Sequence, residues 1–234
     1  MRLGYSARSV REAELPHLAA GEPLMRMASA ALAAELRSLM AARDVARNAD
    51  TVGPRVLLLV GTGNNGGDAL FAGAELAAEG IDVALVLMGN RAHEEGLAAA
   101  LRAGARVVDP DAGGVAALAE GAAVIVDGIL GTGTSADPAL RGTARELVAA
   151  ILPVLDREPR PRVVAVDIPS GIDPDDGRVP DPVVLPADLT VTFGGIKAGL
   201  LLPPASHLAG DVQLVDIGLG PELAAVEPLV RLPD

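Results

Sequence analysis

The run Val56–Asp68, Val-Leu-Leu-Leu-Val-Gly-Thr-Gly-Asn-Asn-Gly-Gly-Asp, restricts the fold of this chain more than any other stretch. Val56–Val60 is wholly apolar and short, as a strand buried on both faces must be. Glycines at 61 and 63 end it, and Ala69–Gly80 then places Ala, Leu, Phe and Glu at helical spacing. Strand, tight turn and helix in that order build a parallel sheet covered by helices. A ligand is expected over the turn. Glycine permits positive φ and lets backbone N–H groups come close, and a helix start adds partial positive charge for an anion such as phosphate.

Gly61, Gly63 and Gly66 fit the spacing of a dinucleotide fingerprint. A redox site of that kind also needs an acid roughly 20 residues on to hold the ribose hydroxyls. Leu85–Ala92 supplies none, which argues against ordinary NAD-dependent hydride transfer. A Gly-Lys-Ser/Thr ending is missing too, so a P-loop ATPase or kinase is not supported.

The rest of the chain repeats the alternation. Ser6–Leu15 reads as a short helix capped by Ser6 or Ser9 and closed by Pro16. Leu24, Ala28, Leu32, Leu36 and Leu39 then mark a longer amphipathic helix, which packs on its own domain or on a second subunit. Arg43–Pro54 reads as loop. Further strands are expected at Asp82–Met88, Arg106–Val108, Ala123–Asp127, Arg162–Asp167, Leu189–Phe193 and Val212–Asp216, with helices at Glu94–Ala103, Val115–Glu120 and Thr143–Leu155. Pro180–Pro186 reads as loop. The fold class that follows is α/β, a three-layer α/β/α Rossmann-like, doubly wound and mostly parallel sheet with N-terminal helices. Residues 1–234 form one domain, with N-terminal helices over 1–50 and the core over 51–220.

Composition narrows the function. With 50% hydrophobic residues but only 1% aromatic, the core is built from Ala, Val, Leu and Ile. A formal net charge of -12 speaks against nucleic acid and anionic membrane as partners. Without cysteine there is no disulfide, thiolate nucleophile or thiolate metal site, and His17, His93 and His207 have no metal-ligand spacing. No apolar run approaches the roughly 18 residues of a membrane span, and the N-terminus has no signal pattern, so the cytoplasm is the expected compartment.

Loops Gly61–Asp68, Asp127–Asp137 and Asp167–Asp173 leave the C-terminal ends of expected strands, where open α/β sheets bind ligands. The second is rich in glycine and hydroxyl groups suited to phosphate or ribose. The third sets a carboxylate at a strand end and Ser170 three residues on, although Ile168 rules out a Gly-x-Ser-x-Gly nucleophile elbow. Lys197 is the only lysine, 19 minus 18 arginines, and marks a place where a compact ammonium fits and a guanidinium does not.

Taken together, Gly-Thr-Gly-Asn-Asn-Gly-Gly-Asp, Val-Asp-Gly-Ile-Leu-Gly-Thr-Gly and Val-Asp-Ile-Pro-Ser-Gly-Ile-Asp closely resemble the NAD(P)H-hydrate epimerases, from Ser6–Glu14 through Lys197–Leu200 to Gly210–Val212. Ala69 departs from the glycine usual there, a mild change at a helix start. The resemblance implies an isomerase that interconverts the R and S forms of NADHX and NADPHX, with a non-catalytic nucleotide-binding or scaffolding protein of the same fold as the alternative. It implies substrate contacts from Asn64, Asn65, Gly66, Gly67 and Asp68, from Gly131, Thr132, Gly133, Thr134, Ser135, Ala136 and Asp137, and from Asp167. It also implies potassium held by Asn65, Asp127 and Ser170, oxygen donors suited to a hard cation. Asp167 is the expected acid and base, with Lys197 beside it. A homodimer is expected, as is a fused or separate ADP- or ATP-dependent dehydratase, and the chain is a candidate half of such a bifunctional protein.

Overall fold

A computed structural model describes residues 1–44, 55–133 and 137–233. Most of the expected Arg43–Pro54 loop, and Thr134, Ser135 and Ala136, lie outside them.

In chain order the elements are β1 (Arg2–Tyr5), α1 (Ala7–Ala19), α2 (Leu24–Asp44), β2 (Val56–Val60), α3 (Asn64–Ala78), β3 (Val83–Leu87), α4 (Glu94–Ala103), β4 (Arg106–Val108), α5 (Ala112–Gly121), β5 (Val124–Gly128), α6 (Gly142–Leu155), β6 (Arg162–Val166), β7 (Leu189–Phe193), β8 (Ile196–Lys197), β9 (Asp211–Val215), α7 (Gly220–Ala224) and β10 (Val230–Leu232). The main sheet has seven strands in the order β4-β3-β2-β5-β6-β7-β9, and every pairing is parallel. From β2 the chain winds outward to β4, then returns to β5 and winds the other way. The reversal between β2 and β5 leaves a crevice above their C-terminal ends.

Alternation along each strand feeds two cores, because successive side chains face opposite sides. Leu58 and Val60 join Leu32 and Leu36 of α2 and Leu70 of α3 on one face, while Leu57 and Leu59 meet Val115 of α5 and Val148 and Ile151 of α6 on the other. These are three layers, as the pattern requires. Leu24, Ala28, Leu32 and Leu36 of α2 are buried within the chain and Leu39 is partly buried against the same core, so intramolecular packing accounts for that apolar stripe.

Two expectations are corrected. Pro16 does not end the first helix, which runs on to Ala19. Pro16 removes one N–H, yet Val10 and Ala13 are buried and His17 sits 2.9 Å from Glu22 and 3.3 Å from Glu222 of α7, so tertiary contacts hold the last turn. Helix α3 begins at Asn64, not Ala69, so Asn-Asn-Gly-Gly-Asp is helix rather than loop. A small second sheet was not expected: β1 pairs parallel with β8 and antiparallel with β10. Its strands are too short to show a period.

Candidate active site

Gly61 and Gly66 are required by crowding rather than by unusual φ, since neither has positive φ. A Cβ on Gly61 would stand 1.7 Å from the carbonyl oxygen of Ile129, and one on Gly66 would stand 2.2 Å from that of Gly61. The turn after β2 is thus pressed against the turn after β5, and the Gly61 N–H donates to the Gly128 carbonyl at 3.0 Å. Gly67 packs on His93 and Met25. The methyl of Ala69 would be 2.8 Å from a Cβ on Gly128, so these two positions share one small space.

Beneath the turns lies Asp127, 1% exposed. Its Oδ2 accepts the Ser170 N–H at 2.8 Å, and its Oδ1 accepts the Ser170 hydroxyl at 2.6 Å and the Ile129 N–H at 3.3 Å. Burial pushes this carboxyl up, and the hydrogen bonds from Ser170 and Ile129 oppose the shift. Among the described residues no cation pairs with it. Ser170 also meets Leu130, its hydroxyl accepting the N–H at 2.8 Å and lying 3.2 Å from the carbonyl oxygen. Asn65 donates to the carbonyls of Leu130 and Val166. The three residues implied as potassium ligands therefore meet at one buried, oxygen-rich point between three loops.

Asp167 stands just past β6 with φ 67°, the one non-glycine with positive φ among the described residues. Its N–H donates to Val191 at 2.8 Å, and the next N–H, of Ile168, folds back to the Val166 carbonyl at 2.8 Å, closing a three-residue turn that aims the side chain. Holding such a residue in this region costs about 1–3 kcal/mol, a cost found most often at functional positions. Lys197, 2% exposed, is ion-paired to Oδ1 of Asp167 and donates to the Phe193 carbonyl at 3.0 Å and the Thr192 hydroxyl at 3.3 Å. Oδ1 also accepts from Thr192 Oγ1 at 3.0 Å and the Phe193 N–H at 3.3 Å. Among the described residues every hydrogen bond to this carboxylate goes to Oδ1, which leaves Oδ2 for a ligand. The three N–H bonds of Lys197 are all used internally, so it orients and charges Asp167.

Both face a cavity of about 460 Å³, into which Asn64, Asn65, Asp68, Gly131, Thr132 and Gly133 also project. Asp68 is 7% exposed, and burial, with repulsion from Asp167 and Glu14, holds its carboxyl well above the usual range. Glu14 of α1, half-buried, is raised mainly by burial, against the pull of Lys197. Asp137 lies instead on an adjoining cavity of about 290 Å³ that shares Thr62, Ile129 and Leu130 with the first. There it pairs with Arg141 at 2.6 Å and accepts the Ala139 N–H at 3.1 Å. Gly66 and Gly67 are buried under the turn, outside the cavity walls.

Sequence reasoning missed what α1 contributes. Arg11 and Glu14 line the cavity, Arg11 donates to the Thr132 carbonyl, and the helix is fixed at its start by Asp175, which accepts the Ala7 N–H at 2.6 Å. Glu14 on the same face as the buried Val10 was the one available signal: four residues apart on a helix, they point the same way.

Residues 21–199 match the family model described as YjeF-related protein N-terminus. An NAD(P)H-hydrate epimerase from Clavibacter michiganensis is 53% identical, with 97% of this chain and 95% of that protein covered. The bifunctional NAD(P)H-hydrate repair enzyme Nnr of Mycobacterium tuberculosis is 40% identical over 94% of this chain and 42% of its own length. The crystal structure of yeast ynu0, YNL200c, superposes with a TM-score of 0.72 at 19% identity over 96% of this chain and 94% of that one. This last likeness speaks for the fold alone.

Proposed function

The chain belongs to the family of YjeF-related protein N-termini, and on that premise we propose that it is an NAD(P)H-hydrate epimerase, an isomerase that interconverts the R and S forms of NADHX and NADPHX. One observation carries the reading: a lysine-paired aspartate, strained into the mouth of the crevice and with one oxygen free, faces the same cavity as a glycine turn and a helix start.

The substrate carbon carries both a hydroxyl and the ring nitrogen. Protonating the hydroxyl lets it leave as water while the nitrogen lone pair forms an iminium, and water added to the opposite face gives the other epimer. Oδ2 of Asp167 is placed to give a proton to the departing oxygen, or to take one from incoming water. Lys197 holds the carboxylate in its orientation, and its positive charge is neutralised within the pair, so it does not repel the iminium. The start of α3 and the turns at Thr62–Gly63 and Gly131–Gly133 offer N–H groups to the pyrophosphate. Asp137 and Arg141, in the adjoining cavity, are placed to meet the far end of the dinucleotide.

Asn65, Asp127 and Ser170 suit a potassium ion: Asp127 is a buried carboxyl without a cationic partner among the described residues, and the Ser170 hydroxyl bonded to it lies 3.2 Å from the Leu130 carbonyl oxygen that Asn65 also meets. When bound, the ion would supply the missing positive charge and tie the three loops together. We further propose action in the cytoplasm, as a homodimer, beside a fused or separate dehydratase that consumes one epimer. No described helix is long and apolar enough to cross a membrane.

The test is R-NADHX and R-NADPHX incubated with the protein in potassium and in sodium, the S form being followed by chromatography that resolves the epimers. Conversion above the spontaneous rate supports the enzyme, and a fall in sodium supports the cation site. Folded protein that gives no acceleration favours the binding-protein alternative.

A further inference from the structure

Epimerisation has a requirement that one carboxyl meets poorly. The hydroxyl leaves from one face of the ring and water adds to the other, so a proton is given on one side and taken on the opposite side. Asp167 reaches the cavity from the end of β6. A second carboxyl, Asp68, reaches it from α3, the helix that follows β2. In the sheet β2 and β6 are separated by β5, roughly 10 Å at two strand spacings. That is room for a planar ring between groups brought in from the two sides.

The two carboxyls are in complementary states. Asp167 is ion-paired with Lys197. Asp68 is 7% exposed, faces the cavity, and among the described residues has no hydrogen-bond partner. Its charged neighbours are Glu14 and Arg11 from α1, Lys197 from β8 and Asp167 itself; burial, with repulsion from Asp167 and then Glu14, raises its carboxyl well above the usual range, against the pull of Lys197. A buried carboxyl that lines a cavity and has no hydrogen-bond partner among the described residues is satisfied by a ligand there.

Resting on the epimerase reading, we propose that Asp68 is the second acid–base residue of this site, with Asp68 and Asp167 each serving one face of the ring. In one direction the Asp68 carboxyl protonates the C6 hydroxyl, the C–O bond breaks and water departs. The nitrogen lone pair forms the iminium. Water then bonds to C6 from the Asp167 side and yields its proton to Asp167. The enzyme emerges with the proton on the other carboxyl, in the form that handles the other epimer, and proton exchange with solvent resets it. One water is lost, one is gained, and nothing is oxidised or reduced.

Asp68→Asn tests this, with each purified epimer incubated in ¹⁸O-labelled water and followed for both inversion and label at C6. Removing one of two acid–base groups should slow inversion by about 10²–10⁴-fold. The epimer whose hydroxyl faces Asp167 should still take up ¹⁸O without inverting, while the other does neither. That asymmetry is what a merely structural role of Asp68 would not produce. Inversion within about threefold of the unaltered protein overturns the proposal, as does equal loss of exchange from both epimers. Loss of inversion in Glu14→Gln but not in Asp68→Asn would assign the role to Glu14 instead. Failure of the unaltered protein to accelerate inversion at all would sink the epimerase reading itself.

Discussion

Two aspartates end neighbouring strands of one sheet, and the protein treats them differently. Asp127 closes β5, is fully enclosed, and is met only by N–H groups and one hydroxyl. Asp167 follows β6, is bent through a positive φ toward the cavity, and receives the chain's sole lysine. A carboxylate given its own ammonium is ready to work and keeps an oxygen free. One met, among the described residues, by dipoles alone is where the proposed potassium ion would add charge. The contrast separates the reacting end of the site from its scaffold.

The largest effect should come from Asp167→Asn. It removes the acid and base, and it strands Lys197 as a buried charge, so turnover should fall at least 10²-fold and the fold should lose about 3 kcal/mol. Dinucleotide binding should remain, and calorimetry beside the epimerisation assay measures both. Retained turnover would remove Asp167 from the mechanism. Lys197→Arg should follow. All three ammonium donors are used in a space with 2% exposure, so the broader guanidinium has to displace Phe193 or Asp167. Turnover should drop about tenfold or more, with a lower melting temperature, at about 1–3 kcal/mol for overpacking. An Arg variant that matches the original in both would leave the lysine without a special role.

Asp127→Asn breaks the comparison from the other side. Its raised carboxyl means the folded state holds its proton more tightly than the unfolded one. Its contribution to stability is therefore present at acid pH and is lost as pH rises from the ordinary carboxylate value through the folded one. The amide should leave stability in potassium-free buffer equal or higher at neutral pH, while any gain in melting temperature on replacing sodium by potassium disappears. A potassium effect that survives the substitution moves the cation elsewhere. The smallest effect belongs to Glu14→Gln. Its charge helps to hold the Asp68 proton, so removing it should shift the alkaline limb of the pH–rate profile a fraction of a unit lower, with the maximal rate changed only a few-fold. A shift to higher pH would contradict that electrostatic role.

Much of the fold was legible because it rests on local terms. The helix Glu94–Ala103 and the strands Arg106–Val108 and Leu189–Phe193 fall where the sequence put them, the first stopped by Gly104 at φ 106°. The start of α3 was not legible, since Asn, Gly and Asp are poor helix formers and only packing of the turn against Ile129 and of Gly67 against His93 makes helix there the better choice. The continuation of α1 past Pro16 depends in the same way on Glu222, far along the chain.

The motif positions of the candidate site were visible in one dimension; their chemical states were not. By itself the sequence determined a doubly wound, mostly parallel sheet, the glycine turns, and the oxygen donors and carboxyls near them, because period, turn chemistry and residue type act over a few residues; the strand order and the reversal between β2 and β5 came from the tertiary structure. Only the tertiary structure decided that Lys197 pairs with Asp167 and not Asp127, that Asp68 is buried and without a hydrogen-bond partner among the described residues, and that Glu14 joins them from the first helix. Those outcomes follow from desolvation and from charges brought together from distant parts of the chain, and neither is a property of any local stretch of chain.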